Sequence, residues 1–317
     1  MKILVTGSKG VIGSYLTKML ADRGHQVLGI DLHHGAGEIG WEHEMSNSFF
    51  GYSRGDVADF RQLERIFEKA GPFDFVYHTA AEFGRWNGED YYEQVWNTNA
   101  IGTKNVIRLQ ERLGFKLIHF SSSEVYGDYP ELMREEVMDK VEIKQMNDYA
   151  LSKWVNEQQI RNSAIKHGTE TVVVRLFNTY GPGEWYHPYR SVNCKFTYHS
   201  LHGIPITVYR GHKRTSTYLE DTCRTLANIV DNFKPGEIYN IGGKDLHDIE
   251  TLADIIWKHT GASKQLINYA DNEVLTTKHK LVESSKAERD LGHISTVSLE
   301  EGVRRTIDWM KEYYRLG

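Results

Sequence analysis

The chain has 317 residues, enough to bury a substantial core in one large domain or two unequal ones. Hydrophobic residues make up 40%, charged residues 26% and the net charge is -5, a balance without the basic excess that would draw the protein to nucleic acid. Two cysteines, Cys194 and Cys223, exclude a disulfide framework and point to a reducing cytoplasm. No apolar run approaches the roughly 18 residues that span a bilayer, so no membrane partner is expected. The opening MKILVTGSKGVIG lacks the pattern of a secretory signal. His33, His34 and His43 lack the cysteines or helical spacing of a metal site, and no metal is expected.

In chain order, short β-branched runs alternate with stretches of helical period. KILVTG precedes a helix over 10–23; HQVLGID and a further strand before GDV precede a helix over 59–70; FDFVYHTAA precedes one over 92–112. KLIHFSSS, a helix over 147–166, TVVVRLFN and GEIYNIGG complete the series. Continuous apolar strands separated by helices predict an α/β fold, a doubly wound parallel sheet covered on both faces. After Asn178 the chain turns rich in aromatics, arginine and turn residues, which predicts a smaller lobe at the carboxyl edge of the strands, where open α/β sheets bind ligands.

Thr6, Gly7, Gly10 and Gly13 form T-G-x-x-G-x-x-G between the first strand and the first helix. Glycines there allow backbone to approach a pyrophosphate, which the helix N-terminus attracts; a tight structural turn is the competing reading. Asp31 ends the second strand, close to the roughly 20-residue offset at which a carboxylate receives ribose hydroxyls and repels a 2′-phosphate, which favours NAD over NADP. Asp56 in GDV either meets the adenine amine or caps a solvated turn. The expected division is an NAD-binding domain over residues 1–178 plus about 216–243, with a substrate lobe from 179–215 and 244–317. Tyr149 and Lys153, four apart in NDYALSKWVNEQQI, share one helix face; alone, such a pair is more often a surface pair than a site.

These motifs, with HTAAE at 78–82, NTNAIGT at 97–103, SSSEVYG at 121–127, RLFNTYGP at 175–182, RTSTYLED at 214–221 and the closing SLEEGVRRTIDWM, resemble the nucleotide-sugar epimerase/dehydratase branch of the extended short-chain dehydrogenase/reductases over essentially the whole chain. The resemblance implies NAD held by Gly7, Gly10, Val11, Ile12, Gly13, Asp31, Asp56, Val57, Thr79, Ala80, Ala81 and Asn99, together with Tyr149 and Lys153. It implies that Tyr149 removes a sugar hydroxyl proton, that Lys153 stabilises the phenolate, and that Ser122 holds the same hydroxyl. The substrate implied is a nucleotide-diphosphate sugar, with Asn178 and Arg214 on the pyrophosphate. Arg190 and Lys195 either assist or lie on the surface, and Glu82, Arg85, Trp86 and Tyr218 either line the sugar pocket or pack. A homodimer through helices 92–112 and 147–166 is also implied.

Glu124 and Ser123 divide the subfamilies. A 4,6-dehydratase needs a carboxylate to remove the C5 proton, and Glu124 stands where such enzymes place it; many of them carry an aspartate acid at the preceding position, here Ser123. A 4-epimerase needs no second base. A UDP-glucuronate decarboxylase has nearly the same motif but usually shows arginine after YGP, where this chain has Gly183. The leading expectation is a dehydratase, ahead of the epimerase, the decarboxylase and a catalytically silent dinucleotide-binding protein.

Overall fold

A computed structural model describes residues 1–33 and 50–316; His34 and His43 lie outside the described residues. Seven parallel strands form the central sheet: β1 (Lys2–Thr6), β2 (Gln26–Asp31), β3 (Phe50–Arg54), β4 (Phe75–His78), β5 (Lys116–Ser122), β6 (Thr171–Leu176) and β7 (Ile238–Ile241), in the order β7-β6-β5-β4-β1-β2-β3. The order reverses between β1 and β4, which makes a crevice at their carboxyl ends. Thr6 stands level with Ile30 and His78, while β5 runs on from His119, level with His78, to Ser122, level with Leu176, so the β5 end reaches further over the crevice.

The principal helices are α1 (Val11–Asp22), α2 (Phe60–Ala70), α3 (Gly102–Leu113), α4 (Asp148–His167), α5 (Val192–Leu201), α6 (Leu219–Ala227), α7 (Ile249–Thr260), α8 (Ser285–Leu291) and α9 (Leu299–Tyr313). One sheet face is covered by Leu16 and Leu20 of α1, Leu226 of α6 and Leu291 of α8. The other is covered by Leu63 and Phe67 of α2, Val106 and Ile107 of α3, and Ile160 of α4. Because both faces are covered, strands such as FVYH are buried end to end. A separate apolar cluster joins Phe196, Ile206, Val208, Trp257 and Ile307 beyond the carboxyl edge. Helix α8 belongs to the sheet's core although it follows 244 in sequence, so the segment 244–317 contributes to both clusters.

The helix expected over 92–112 is built in three parts: a turn at Tyr92–Val95, a wide π turn at Trp96–Ile101, then α3. Among the described residues no helix is long and apolar enough to cross a membrane, and no group of three His, Cys, Asp or Glu could hold a metal ion.

Candidate active site

A cavity of about 1090 Å³ follows the carboxyl edge of the sheet from the glycine turn to the outer cluster. Of the residues singled out in the sequence, Gly7, Gly10, Val11, Ile12, Gly13, Asp31, Asp56, Val57, Thr79, Ala80, Ala81, Glu82, Arg85, Ser122, Ser123, Glu124, Tyr149, Lys153, Asn178, Arg190 and Arg214 all line it.

At one end, backbone packs on backbone. Gly7 has φ +68°, and a Cβ on Gly13 would lie 2.0 Å from the Gly7 carbonyl oxygen. No side chain caps α1, so the first-turn N–H groups of Val11, Ile12 and Gly13 face the cavity. The Asp31 carboxylate accepts the N–H of Lys9 at 2.9 Å and that of His33 at 3.3 Å, which fixes it at the far side of the turn. A bare helix N-terminus with a carboxylate beyond it fits the pyrophosphate and ribose of NAD.

The reacting side chains sit at the ends of β5 and α4. Asn147 caps α4 by accepting the Ala150 N–H at 2.8 Å, which starts the helix where Tyr149 and Lys153 fall one turn apart against β5. Lys153 donates to the Phe120 carbonyl at 2.9 Å, with its ammonium 5.9 Å from the centre of the Tyr149 ring. Burial pushes the Tyr149 phenol up to about 12, a rise limited by a hydrogen bond with Ser122 and increased by the charge of Glu124. Burial lowers Lys153 to about 8.

Glu124 is ion-paired with Lys280, a residue that the sequence reading did not find. Burial alone would raise the Glu124 carboxyl; the charges of Lys280, Arg214 and Arg85 more than offset this and hold it below its usual value. Lys280 is 2% exposed and reaches the Ser123 hydroxyl at 3.4 Å. Arg85 pairs with Glu273, a second cavity residue absent from the sequence reading. Arg214 donates to the carbonyls of Lys213 and Lys278 and to the Thr276 hydroxyl, which locks its plane.

Two expectations are revised. Tyr218 does not line the cavity; its ring packs 5.9 Å from Tyr180 over Gly302, where a Cβ would strike both rings, because this stretch belongs to the outer apolar cluster. Asn99 does not line it either: its amide bridges the Glu82 backbone N–H and carbonyl at 2.8 and 3.1 Å, bracing the segment that carries Glu82. Of the two readings left open for Arg190 and Lys195, the structure agrees with the pocket one: both line the cavity, with Arg190 lying 3.8 Å from the Phe83 ring centre and 4.7 Å from that of Trp185. The Nε atoms of Arg85 and Arg190 are buried without a protein partner.

The sequence profile of the NAD dependent epimerase/dehydratase family matches residues 3–242. A dTDP-glucose 4,6-dehydratase of Salmonella typhimurium is 29% identical over 98% of this chain and 92% of its own length. A UDP-N-acetyl-alpha-D-glucosaminuronate decarboxylase of Bacillus cytotoxicus is 28% identical over 98% of both chains. The solved UDP-glucuronic acid 4-epimerase of Bacillus cereus, in complex with UDP-glucuronic acid and NAD, superposes with a TM-score of 0.87 at 27% identity, covering 99% of this chain and 100% of its own. The relatives thus include a dehydratase, a decarboxylase and an epimerase, at identities that do not choose among them. With the profile spanning most of the sequence and the glycine turn shaped for the dinucleotide, the chain belongs to the NAD dependent epimerase/dehydratase family and its cofactor is NAD.

Proposed function

We propose that the protein is a nucleotide-sugar 4,6-dehydratase acting on a nucleoside diphosphate linked to a neutral hexose. The observation that carries this reading is Glu124, a carboxylate kept ionised in the same cavity as Tyr149 and Ser122. NAD, held at the glycine turn and Asp31, would supply the hydride acceptor for sugar C4 and the later hydride donor to the sugar. Ser122, hydrogen-bonded to the Tyr149 phenol, holds the 4-hydroxyl for Tyr149, which takes its proton. Lys153 beneath the ring favours the phenolate form of Tyr149 that accepts this proton. With a ketone at C4 the C5 proton is acidified, and Glu124 removes it so that water leaves from C6. An epimerase has no use for this second base.

Charge supports a neutral sugar. Arg85, Lys195, Arg214 and Lys280 form one mutually interacting set with Glu124 and Glu273, and the surplus of cations suits a diphosphate. Arg190 is attracted by both Glu184 and Glu82 and adds no further positive charge. Arg85 and Lys280 are already paired with Glu273 and Glu124, which favours a sugar without a carboxylate of its own and counts against the decarboxylase. Asn178, Arg214 and Arg190 are the proposed pyrophosphate ligands, and Glu82 and Arg85 the proposed sugar contacts. We also propose an NAD-binding domain formed by the sheet and its helices, a lobe built on the outer cluster, and a homodimer through the exposed Tyr92, Ile101, Leu151 and Ile165.

The test is to incubate the NAD-loaded protein with dTDP-glucose, UDP-glucose and GDP-mannose and weigh the products. Loss of water from one of them is expected; unchanged mass with inverted C4 would replace the reading by an epimerase. Tyr149→Phe is expected to abolish turnover while leaving nucleotide-sugar binding within about threefold by calorimetry.

A further inference from the structure

Elimination of water needs two proton transfers: one from C5 to a base, and one to the hydroxyl that departs from C6. Glu124 suits the first. The neighbouring position, where an acid would be expected, holds Ser123, whose hydroxyl is a poor proton donor with no carboxylate of its own. The structure puts another group there. Lys280 comes from the far end of the chain and places its ammonium against both the Glu124 carboxylate and the Ser123 hydroxyl. Its backbone is pinned on both sides: its N–H donates to the Lys213 carbonyl at 3.1 Å, its carbonyl accepts the Thr215 hydroxyl at 2.8 Å, and the Leu281 carbonyl accepts the Met133 N–H at 2.8 Å. The side chain opens into the cavity that holds Tyr149 and Ser122.

We infer that Lys280 is the catalytic acid that protonates the departing C6 hydroxyl, a role that rests on the dehydratase reading. The C5–H bond breaks first, its proton going to Glu124 and its electron pair being held as an enolate by the C4 ketone; the enolate then collapses to form the C5=C6 double bond, and the C6–O bond breaks as the oxygen takes a proton from Lys280 and leaves as water. The ion pair already holds both groups in the protonation states this step requires, an anion to receive and a cation to give. After the step both are neutral, so the reaction removes two buried charges rather than creating any. As the hydride returns at C6, Glu124 gives its proton back to C5, and Lys280 recovers its proton through solvent from the one that Tyr149 took from O4, which balances the cycle. Burial lowers the ammonium below its ordinary value despite the pull of Glu124, which favours donation.

A purely structural role, clamping Glu124, makes a different prediction, and Lys280→Arg separates the two. Arginine keeps the positive charge but does not release a proton near neutrality. The reaction is run in deuterium oxide, following water loss by product mass and deuterium at C5 in the recovered sugar nucleotide. Lys280→Arg is expected to keep deuterium uptake at C5 while water loss falls about 100-fold or more. Lys280→Met is expected to lose water elimination to the same extent, and calorimetry with the sugar nucleotide checks that both variants are folded. Water loss by Lys280→Arg within about threefold of the unaltered enzyme overturns the role, as does loss of C5 exchange together with elimination, which marks a clamp. If the unaltered enzyme releases no water from any of the three sugar nucleotides, the dehydratase reading itself has failed.

Discussion

Two buried ion pairs lie on either side of the end of β5, and they differ in how fully they are satisfied. Behind the strand, Glu157 accepts two bonds from Arg175, at 3.0 and 2.7 Å, and one from Ser121 at 2.5 Å; the same guanidinium also donates to the Tyr126 hydroxyl and the Glu135 carbonyl. In front of it, Glu124 and Lys280 hold each other with little more than the Ser123 hydroxyl at 3.4 Å, and they open into the cavity. The first pair is a closed network that rigidifies the strand. The second keeps bonding capacity in reserve, which is what a pair needs if its protons are to move.

That contrast can be broken most forcefully from behind. Glu157→Leu strands Arg175, which is 1% exposed, and is expected to cost about 3–5 kcal/mol of unfolding free energy in urea titrations. Lys153 provides a third case, a buried cation with no carboxylate in contact among the described residues. Lowering its ammonium from 10.5 to about 8 costs about 3 kcal/mol when it is charged. Between these values the unfolded chain binds more protons than the folded one, so this contribution makes stability rise with pH from about 8 to about 10.5. Lys153→Met, measured without ligand, is therefore expected to be more stable at pH 7 by up to about 3 kcal/mol, to lose that pH dependence and to be inactive. Glu124→Gln sharpens the comparison from the cavity side: turnover is expected to fall about 100-fold or more, while the loss of unfolding free energy stays below that of Glu157→Leu, because the Glu124 side is partly open to the cavity and its pair is less fully bonded. The mildest change is Asp31→Asn, which removes the charge but not the shape. Its expected signature is about a tenfold loss of NAD affinity by fluorescence titration, with unchanged unfolding.

Sequence made the near-range features legible and hid the distant ones. The glycine turn, Asp31, Tyr149 with Lys153 and the succession of sheet strands could all be read because each depends on spacing within one or two elements. Lys280 and Glu273 could not, since the irregular stretch around TTKHKL has no period and its contact with Glu124 spans 156 residues. Tyr218 and Asn99 sit in recognisable motifs, yet a tyrosine fits an apolar core as well as a pocket wall, and an asparagine amide can be spent on bracing backbone and a neighbouring serine. For Arg190 the sequence leaves a pocket and a surface role both open, because an arginine among turn residues fits either; only the fold brings Phe83 and Trp185 against its guanidinium.

The three serines at 121–123 are chemically identical, yet each has its own occupation. Ser121 faces Glu157, Ser122 faces Tyr149, and Ser123 faces Lys280. Only the pleat of β5 and the turn that follows it tell them apart. Removing any one of the three would leave the composition of the motif almost intact while reassigning every task in it, so this segment should tolerate point changes far better than a shift in length.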